Sequence, residues 1–248
     1  MQGVVHNSGR VAGTLYLIPT PLGNIAPAEV LPEATLRIAA SLSTFIVERN
    51  KTARAFLKRL PTRTPLQRIE LFELGERTRP SELERLLAPL LEGRDAGLLS
   101  EAGCPAVADP GASLVRLAHA RGLCVRPLVG PSAILLALMA CGLQGQRFAF
   151  HGYLPVEADA RRRALRMLEH RAQSEDAAQI FIETPYRSAA LLEAILSSCR
   201  GDTELALACD LTLPSESIRA HKIAAWRESP RPPLARRPCV FLLWREPR

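Results

Sequence analysis

Short apolar runs alternate with amphipathic stretches through the first half of the chain, and this alternation restricts the fold more than any other feature. Runs of strand length occupy residues 15–18, 44–47, 68–72, 96–100 and 124–127, and helical patterns fill the intervals at 32–41, 52–60, 80–91 and 112–120. Strand, helix, strand at this spacing predicts βαβ units on a largely parallel sheet, because parallel neighbours need a crossover long enough to hold a helix. Gly130 and Pro131 then break the chain, and a helix starts at about Ser132. Beyond it the rhythm changes. Strands are expected at 147–153, 179–183, 204–210 and 238–244, with a hairpin strand near 216–223 and helices at 158–172 and 188–198. Strands in such close succession predict a mixed sheet. The pattern therefore specifies two α/β domains, residues 13–128 with a mostly parallel sheet and 129–248 with a mixed one, behind a flexible leader at 1–12.

Composition narrows the class. The chain is 47% hydrophobic and 23% charged, the balance of a soluble globular protein. Its longest apolar stretch, near residues 133–141, is too short to cross a bilayer, and the first residues lack a secretory apolar core. A cytoplasmic protein with no membrane partner is expected. Cysteines at 104, 124, 141, 199, 209 and 239 show neither zinc-knuckle nor redox spacing and read as buried free thiols. The five histidines have no metal-ligand spacing, so no metal is expected. Neither G-x-x-x-x-G-K-[ST] nor G-x-G-x-x-G occurs, which disfavours P-loop phosphoryl transfer and hydride transfer on a common dinucleotide fold. The net charge of +7 is concentrated in "KTARAFLKRLPTRTPLQR" and "ADARRRALRMLEHRAQ". Each is either a solvated helix face or a nucleic-acid surface, and the sequence leaves both open.

Ligands of open α/β sheets bind beyond the carboxyl ends of the strands, so the loops there carry the functional expectations. "PTPLGN" follows the first strand. Pro19 and Pro21 fix φ and lack N–H donors, so this loop suits a rigid apolar wall with Leu22 at its tip better than a phosphate cradle. "SEAGCPAVADPGA" follows the strand at 96–100. In it Gly103 permits close backbone approach, and Asp109 reads as a helix cap with Pro110 at the first helical position. Cys104 has no neighbouring cation to activate it as a nucleophile. "VGPSA" places Ser132 at a helix start beside the proposed domain junction. Four acids, Glu48, Glu101, Glu183 and Asp210, stand at strand ends, each an edge charge or a site residue. The segment "ESPRPPLARRP" is either a mobile lid or a plain connection.

"LYLIPTPLGN", "LLSEAGCPAVADPG", "GPSA", "FHGYLP" and "IETPYR", in this order, resemble the S-adenosylmethionine-dependent methyltransferases of the tetrapyrrole methylase superfamily. The likeness is greatest to the branch that methylates a cytidine 2′-hydroxyl in small-subunit ribosomal RNA, and it spans residues 13–246. It implies S-adenosylmethionine in the cleft between two α/β domains, a homodimer, and RNA or a ribosomal subunit as partner. By motif, Leu22, Gly103, Cys104, Val107, Ser132 and Ala133 would line the cofactor, with Glu183, Leu211 and Pro238 contributing from the second domain. Glu48 or Glu101 would take the proton from the acceptor. The chain departs from the branch in reading Arg49-Asn50-Lys51 for Asp-Thr-Arg, Glu101-Ala-Gly-Cys104-Pro for Asp-Ala-Gly-Thr-Pro, and "FELG" at 72–75 for His-Glu-His-Asn. It also stops at Arg248, where the branch adds a small helical domain. The cofactor-side loops thus match more fully than the acceptor-side ones. A tetrapyrrole methylase, or a non-catalytic cofactor-binding module contacting RNA or protein, are the alternatives.

Overall fold

The computed structural model describes residues 11–247; of the expected leader, residues 1–10 lie outside the described residues. The chain divides into two compact units between Ser132 and Ala133.

The first unit carries β1 (Thr14–Ile18), β2 (Thr44–Val47), β3 (Glu70–Glu73), β4 (Ala96–Leu99) and β5 (Cys124–Pro127). They form a five-stranded sheet in the order β3-β2-β4-β1-β5, and every pairing is parallel. All residues of β2 and β4 are buried, as expected of central strands covered on both faces. Alternation sorts their side chains. Phe45, Val47, Ile18 and Leu99 pack with residues of α2 (Glu33–Ser41) and α3 (Asn50–Leu57). Ile46, Leu15 and Leu98 pack on the other face with residues of α4 (Pro80–Leu86), α5 (Ala88–Leu91) and α6 (Gly111–Ala120). Gly97 lies between strands so closely packed that a Cβ there would stand 2.7 Å from both Ile18 Cδ1 and Phe45 Cδ1.

Several elements differ from expectation, α3 among them, since it covers Asn50–Leu57 where 52–60 was expected. Pro65 leads into a short 3-10 turn, Leu66–Arg68, so β3 starts two residues later than the apolar run suggested. The stretch at 80–91 is two helices, because Pro89 has no N–H to donate to the preceding turn. A one-turn helix, α1 (Pro27–Val30), went unanticipated.

The second unit contains α7 (Ala133–Cys141), β6 (Phe148–Tyr153), α8 (Ala158–Ser174), β7 (Ala178–Glu183), α9 (Ser188–Ser198), β8 (Glu204–Cys209), β9 (Ser217–Lys222), α10 (Ile223–Glu228) and β10 (Cys239–Trp244). Its sheet runs β6-β7-β10-β8-β9, with β6 and β7 parallel and the other pairs antiparallel. This is the mixed sheet expected. Phe181 and Phe241 stack at 5.8 Å in its core. Trp226, on the unanticipated α10, is buried and donates its indole N–H to Leu205 O at 2.9 Å. The buried carboxylate of Glu169 is satisfied by Arg200 N and Thr203 Oγ1. The proline- and arginine-rich segment before β10 is a pinned connection: Leu234 is buried, Arg231 bonds Trp226 O, and Arg237 bonds Asp210. All six thiols are free, but Cys124 is exposed on an edge strand, contrary to expectation.

Gly97→Ala is expected to destabilise the chain by about 1–3 kcal/mol through overpacking, read as a lowered midpoint in urea. An unchanged midpoint would show that the sheet can relax around a methyl group.

Candidate functional site

Because the first sheet is entirely parallel, the residues after its strands all emerge at one edge. Glu48 follows β2, Leu74 and Gly75 follow β3, Glu101 follows β4, and the proline loop follows β1. Thr20 and Gly103 close an isolated antiparallel bridge there: Thr20 N donates to Gly103 O at 3.0 Å and Gly103 N to Thr20 O at 3.1 Å. Thr20 is buried, and Ser100 Oγ donates to the same Gly103 carbonyl at 2.8 Å. Gly103 has φ +75°, and a Cβ on it would stand 3.2 Å from Leu22 Cδ2. Glycine is needed both for the backbone and for the space. The Cys104 thiol contacts Pro131 O at 3.4 Å, and burial pushes its pKa up, as befits a wall residue and not a nucleophile. Gly130 packs on the same wall, since a Cβ there would come within 2.4 Å of Pro19 Cβ. Leu22, Gly103 and Cys104 are thereby brought together, beside the segment that leads to Ser132.

Val107 is exposed, between Ala106 and Ala108, which both hold left-handed φ values of 65° and 59°. Asp109 stabilises this strained loop. Its Oδ1 accepts from Ala106 N at 2.8 Å and Gly111 N at 2.7 Å. The cap is displaced by one residue from expectation, for α6 begins at Gly111 with Pro110 before it.

The two acids expected to act as base lie side by side. Glu48 Oε1 accepts from Glu101 N at 3.0 Å. Glu101 is exposed, 3.8 Å from Arg49 Nε, and takes the hydroxyl hydrogen bond of Thr52. Partial burial raises the pKa of Glu48, against the Glu101 N–H that lowers it; the charges of Asp109 and Glu101 raise it further. A cavity of about 370 Å³ runs from the proline loop past Thr52 and Arg59 to Glu101 and Ala102. Another, of about 360 Å³, lies between Leu74–Gly75 and Asp109. Thr52 and Thr20 were not expected at the site, and no pattern in the sequence marks them.

In the second unit, Glu183, Leu211 and Pro238 gather at one end of the sheet. Glu183 is paired with Cys239, Cys239 with Cys209, and Asp210 N donates to Pro238 O at 3.1 Å. Cys209 and Cys239 meet with their sulfurs 2.6 Å apart. Leu211 lies between Asp210 and Thr212, whose φ values are 51° and 71°. Glu183 is buried. Its Oε1 accepts from Thr184 N and from Arg187 Nε and Nη2, whereas its Oε2 is buried with no partner. Ala133 opens α7 in this unit. Among the described residues no cluster of His, Cys, Asp or Glu could hold a metal.

No family model matches the chain. Individual proteins do. Ribosomal RNA small subunit methyltransferase I of Escherichia coli is 33% identical over 217 residues, 86% of this chain and 72% of its own. The protein of the same name from Pseudomonas aeruginosa is 34% identical, over 86% and 71%. The chain belongs to the ribosomal RNA small subunit methyltransferase I family. Solved structures place the family's fold. The methyltransferase CobJ matches with a TM-score of 0.61 at 19% identity, covering 94% of both chains. A uroporphyrin-III C-methyltransferase from Thermus thermophilus, complexed with S-adenosyl homocysteine, matches at 0.54 and 16%, over 94% of this chain and 97% of that one. The protein is thus a member of a methyltransferase family, and the resemblance of its loops implies S-adenosylmethionine as the cofactor.

Such a cofactor carries no phosphate and calls for apolar walls with a few polar anchors, and each unit, taken by itself, has features of that kind. The Pro19–Leu22 loop and Gly103 supply the first. The unpartnered Glu183 Oε2 is a buried acceptor that lacks a donor, the kind of atom a ligand amine or amide satisfies. Glu183→Gln is expected to weaken S-adenosylhomocysteine binding about tenfold, the worth of a charge-assisted hydrogen bond, measured by calorimetry. Gly130→Ala is expected to cost about 1–3 kcal/mol of stability by forcing Pro19 aside, seen as a lower melting temperature.

Proposed function

We propose that the protein methylates ribosomal RNA of the small subunit at a ribose 2′-hydroxyl, with Glu48 taking the proton. The family's curated members support the RNA acceptor, for they are named as ribosomal RNA methyltransferases. They speak against a tetrapyrrole acceptor. The raised pKa of Glu48, at the carboxyl edge of the sheet, supports its role as base over Glu101, whose carboxylate is engaged by Thr52 and Arg49.

S-adenosylmethionine, when bound, supplies an electrophilic methyl on a sulfonium. Leu22, Gly103, Cys104, Val107 and Ser132 in the first unit, and Ala133, Glu183, Leu211 and Pro238 in the second, are the residues proposed to hold it. The chain's own contribution is then alignment and proton removal. A hydroxyl is a weak nucleophile until its proton has somewhere to go, and a carboxylate with a raised pKa is a better acceptor than a free one. Glu101 holds Glu48 through its backbone N–H and is assigned a positioning role. The reading includes a homodimer and a cytoplasmic location, where ribosomal subunits are found. No helix among the described residues is long and apolar enough to cross a membrane.

The observation that carries this reading is the pairing of Glu48 with the Glu101 N–H beside the cofactor-side loops. Glu48→Gln is expected to lower methyl transfer about 10²–10⁴-fold with S-adenosylhomocysteine affinity retained. In the wild type, activity should fall on acidification through a pKa above the ordinary glutamate value of 4.5, since protonated Glu48 cannot accept a proton. A Glu48→Gln variant with full activity would move the base elsewhere.

A further inference from the structure

The chain has three tyrosines, and two of them stand out into solvent at one end of the second sheet. Tyr153 is 58% exposed and Tyr186 is 85% exposed, both unusual for large aromatic side chains. Topology brings them to the same end. Tyr153 closes β6, paired with Ile182 of the parallel neighbour β7, and Tyr186 stands in the turn three residues past the end of β7. A built feature of the backbone aims Tyr153. The register between β6 and β7 shifts between Phe150 and Tyr153, and Gly152 takes φ +64° within that bulge. Such bulges turn the following side chain out of the alternation that would otherwise set it.

Five residues after Tyr153, α8 begins at this same end. Along its solvent face lie Arg162, Arg163 and Arg166, all exposed. Arg162 is paired with Asp159, but Arg163 and Arg166 make no salt bridge among the described residues. The nearby acids hold other partners, though the charge of Glu157 is also felt by Arg162 and Arg163. Glu157 gives its carboxylate to Asp159 N and Ala160 N, and Glu169 faces inward to Arg200 and Thr203. A helix whose acids are satisfied and whose arginines project unpaired presents a positive face.

We propose that Tyr153, Tyr186, Arg163 and Arg166 form a platform for a single-stranded segment of the RNA, the rings stacking on unpaired bases and the guanidinium groups neutralising phosphates. This rests on the RNA acceptor proposed above and assigns the surface that grips it. The combination is what recommends RNA. Aromatic faces accept any base, arginine forks match phosphate, and neither side chain spends itself on the fold. A protein surface would explain exposed rings, but it gives no reason for unpaired arginines beside them.

The test uses the full chain saturated with S-adenosylhomocysteine and a labelled single-stranded RNA oligonucleotide of mixed sequence. Its affinity is measured by fluorescence anisotropy over a range of potassium chloride concentrations. Arg163→Gln with Arg166→Gln should flatten the slope of log affinity against log salt by about 1.4, or about 0.7 for each phosphate of a single strand that is no longer neutralised. Tyr153→Ala with Tyr186→Ala should leave that slope unchanged and weaken binding at least about fivefold per ring. Both variants should retain wild-type affinity for S-adenosylhomocysteine, which confirms that each still folds. RNA binding unaltered in both variants would overturn the platform while leaving the RNA acceptor standing. Loss of self-association in light scattering, with RNA binding intact, would reassign the surface to a protein contact and overturn it too. A wild type that binds S-adenosylhomocysteine but no RNA would overturn both the platform and the RNA acceptor.

Discussion

Two hydrogen bonds between Thr20 and Gly103 tie the loop after β1 to the loop after β4, and the first unit's site is arranged around them. The proline loop has lost two N–H donors, and the longer loop runs through Ala106 and Ala108 in left-handed conformations. Joined, they share the Gly103 carbonyl with Ser100 and bring Leu22 against a glycine that no other residue could replace without crowding. Pro19 is held from behind by Gly130. Under the proposed function the prolines answer a particular demand. A wall for a phosphate-free cofactor needs stiffness and apolar surface, and it has no use for the row of N–H donors that a glycine-rich loop provides.

The proposed chemistry rests on which acids the parallel sheet brings to its carboxyl edge. Glu48 and Glu101 sit on loops far apart in sequence, yet β2 and β4 are neighbours, so the loops meet. Their environments differ in the way that proposal needs. Burial keeps Glu48 a stronger proton acceptor, and Arg49 with Thr52 occupies Glu101. The second unit follows a comparable economy at the end of its mixed sheet. Antiparallel pairing of β10 with both β7 and β8 sets Glu183, Pro238 and Leu211 near one another, and leaves one oxygen of Glu183 buried without a donor.

Much of the fold was legible because its signals are periodic. The apolar runs at 44–47 and 96–100 became fully buried central strands, and the change of rhythm past Gly130 became a mixed sheet. The signals failed where local backbone chemistry overruled the pattern. Pro65 delayed β3, Pro89 split a helix, and α10 was hidden because its Trp226 anchors a segment only six residues long. The site was legible by motif more than by physics. Leu22, Gly103 and Cys104 do gather, but nothing in the sequence announces that Thr20 bridges to Gly103, or that Thr52 reaches Glu101, because both contacts join residues that only the sheet order makes neighbours. Cys124 departs from expectation for a similar reason: an apolar run says nothing about which strand lies at the edge.

The most direct test is transfer of a labelled methyl group from S-adenosylmethionine to small ribosomal subunits that lack the modification, followed by alkaline digestion of their RNA. Alkali cleaves RNA through the 2′-hydroxyl, so a methylated ribose leaves a resistant dinucleotide. Label recovered in such dinucleotides is the result expected for a ribose 2′-hydroxyl acceptor. Label recovered only in mononucleotides would place the methyl on a base, and an absence of label in RNA from a protein that binds the cofactor would contradict the assignment of ribosomal RNA as its substrate.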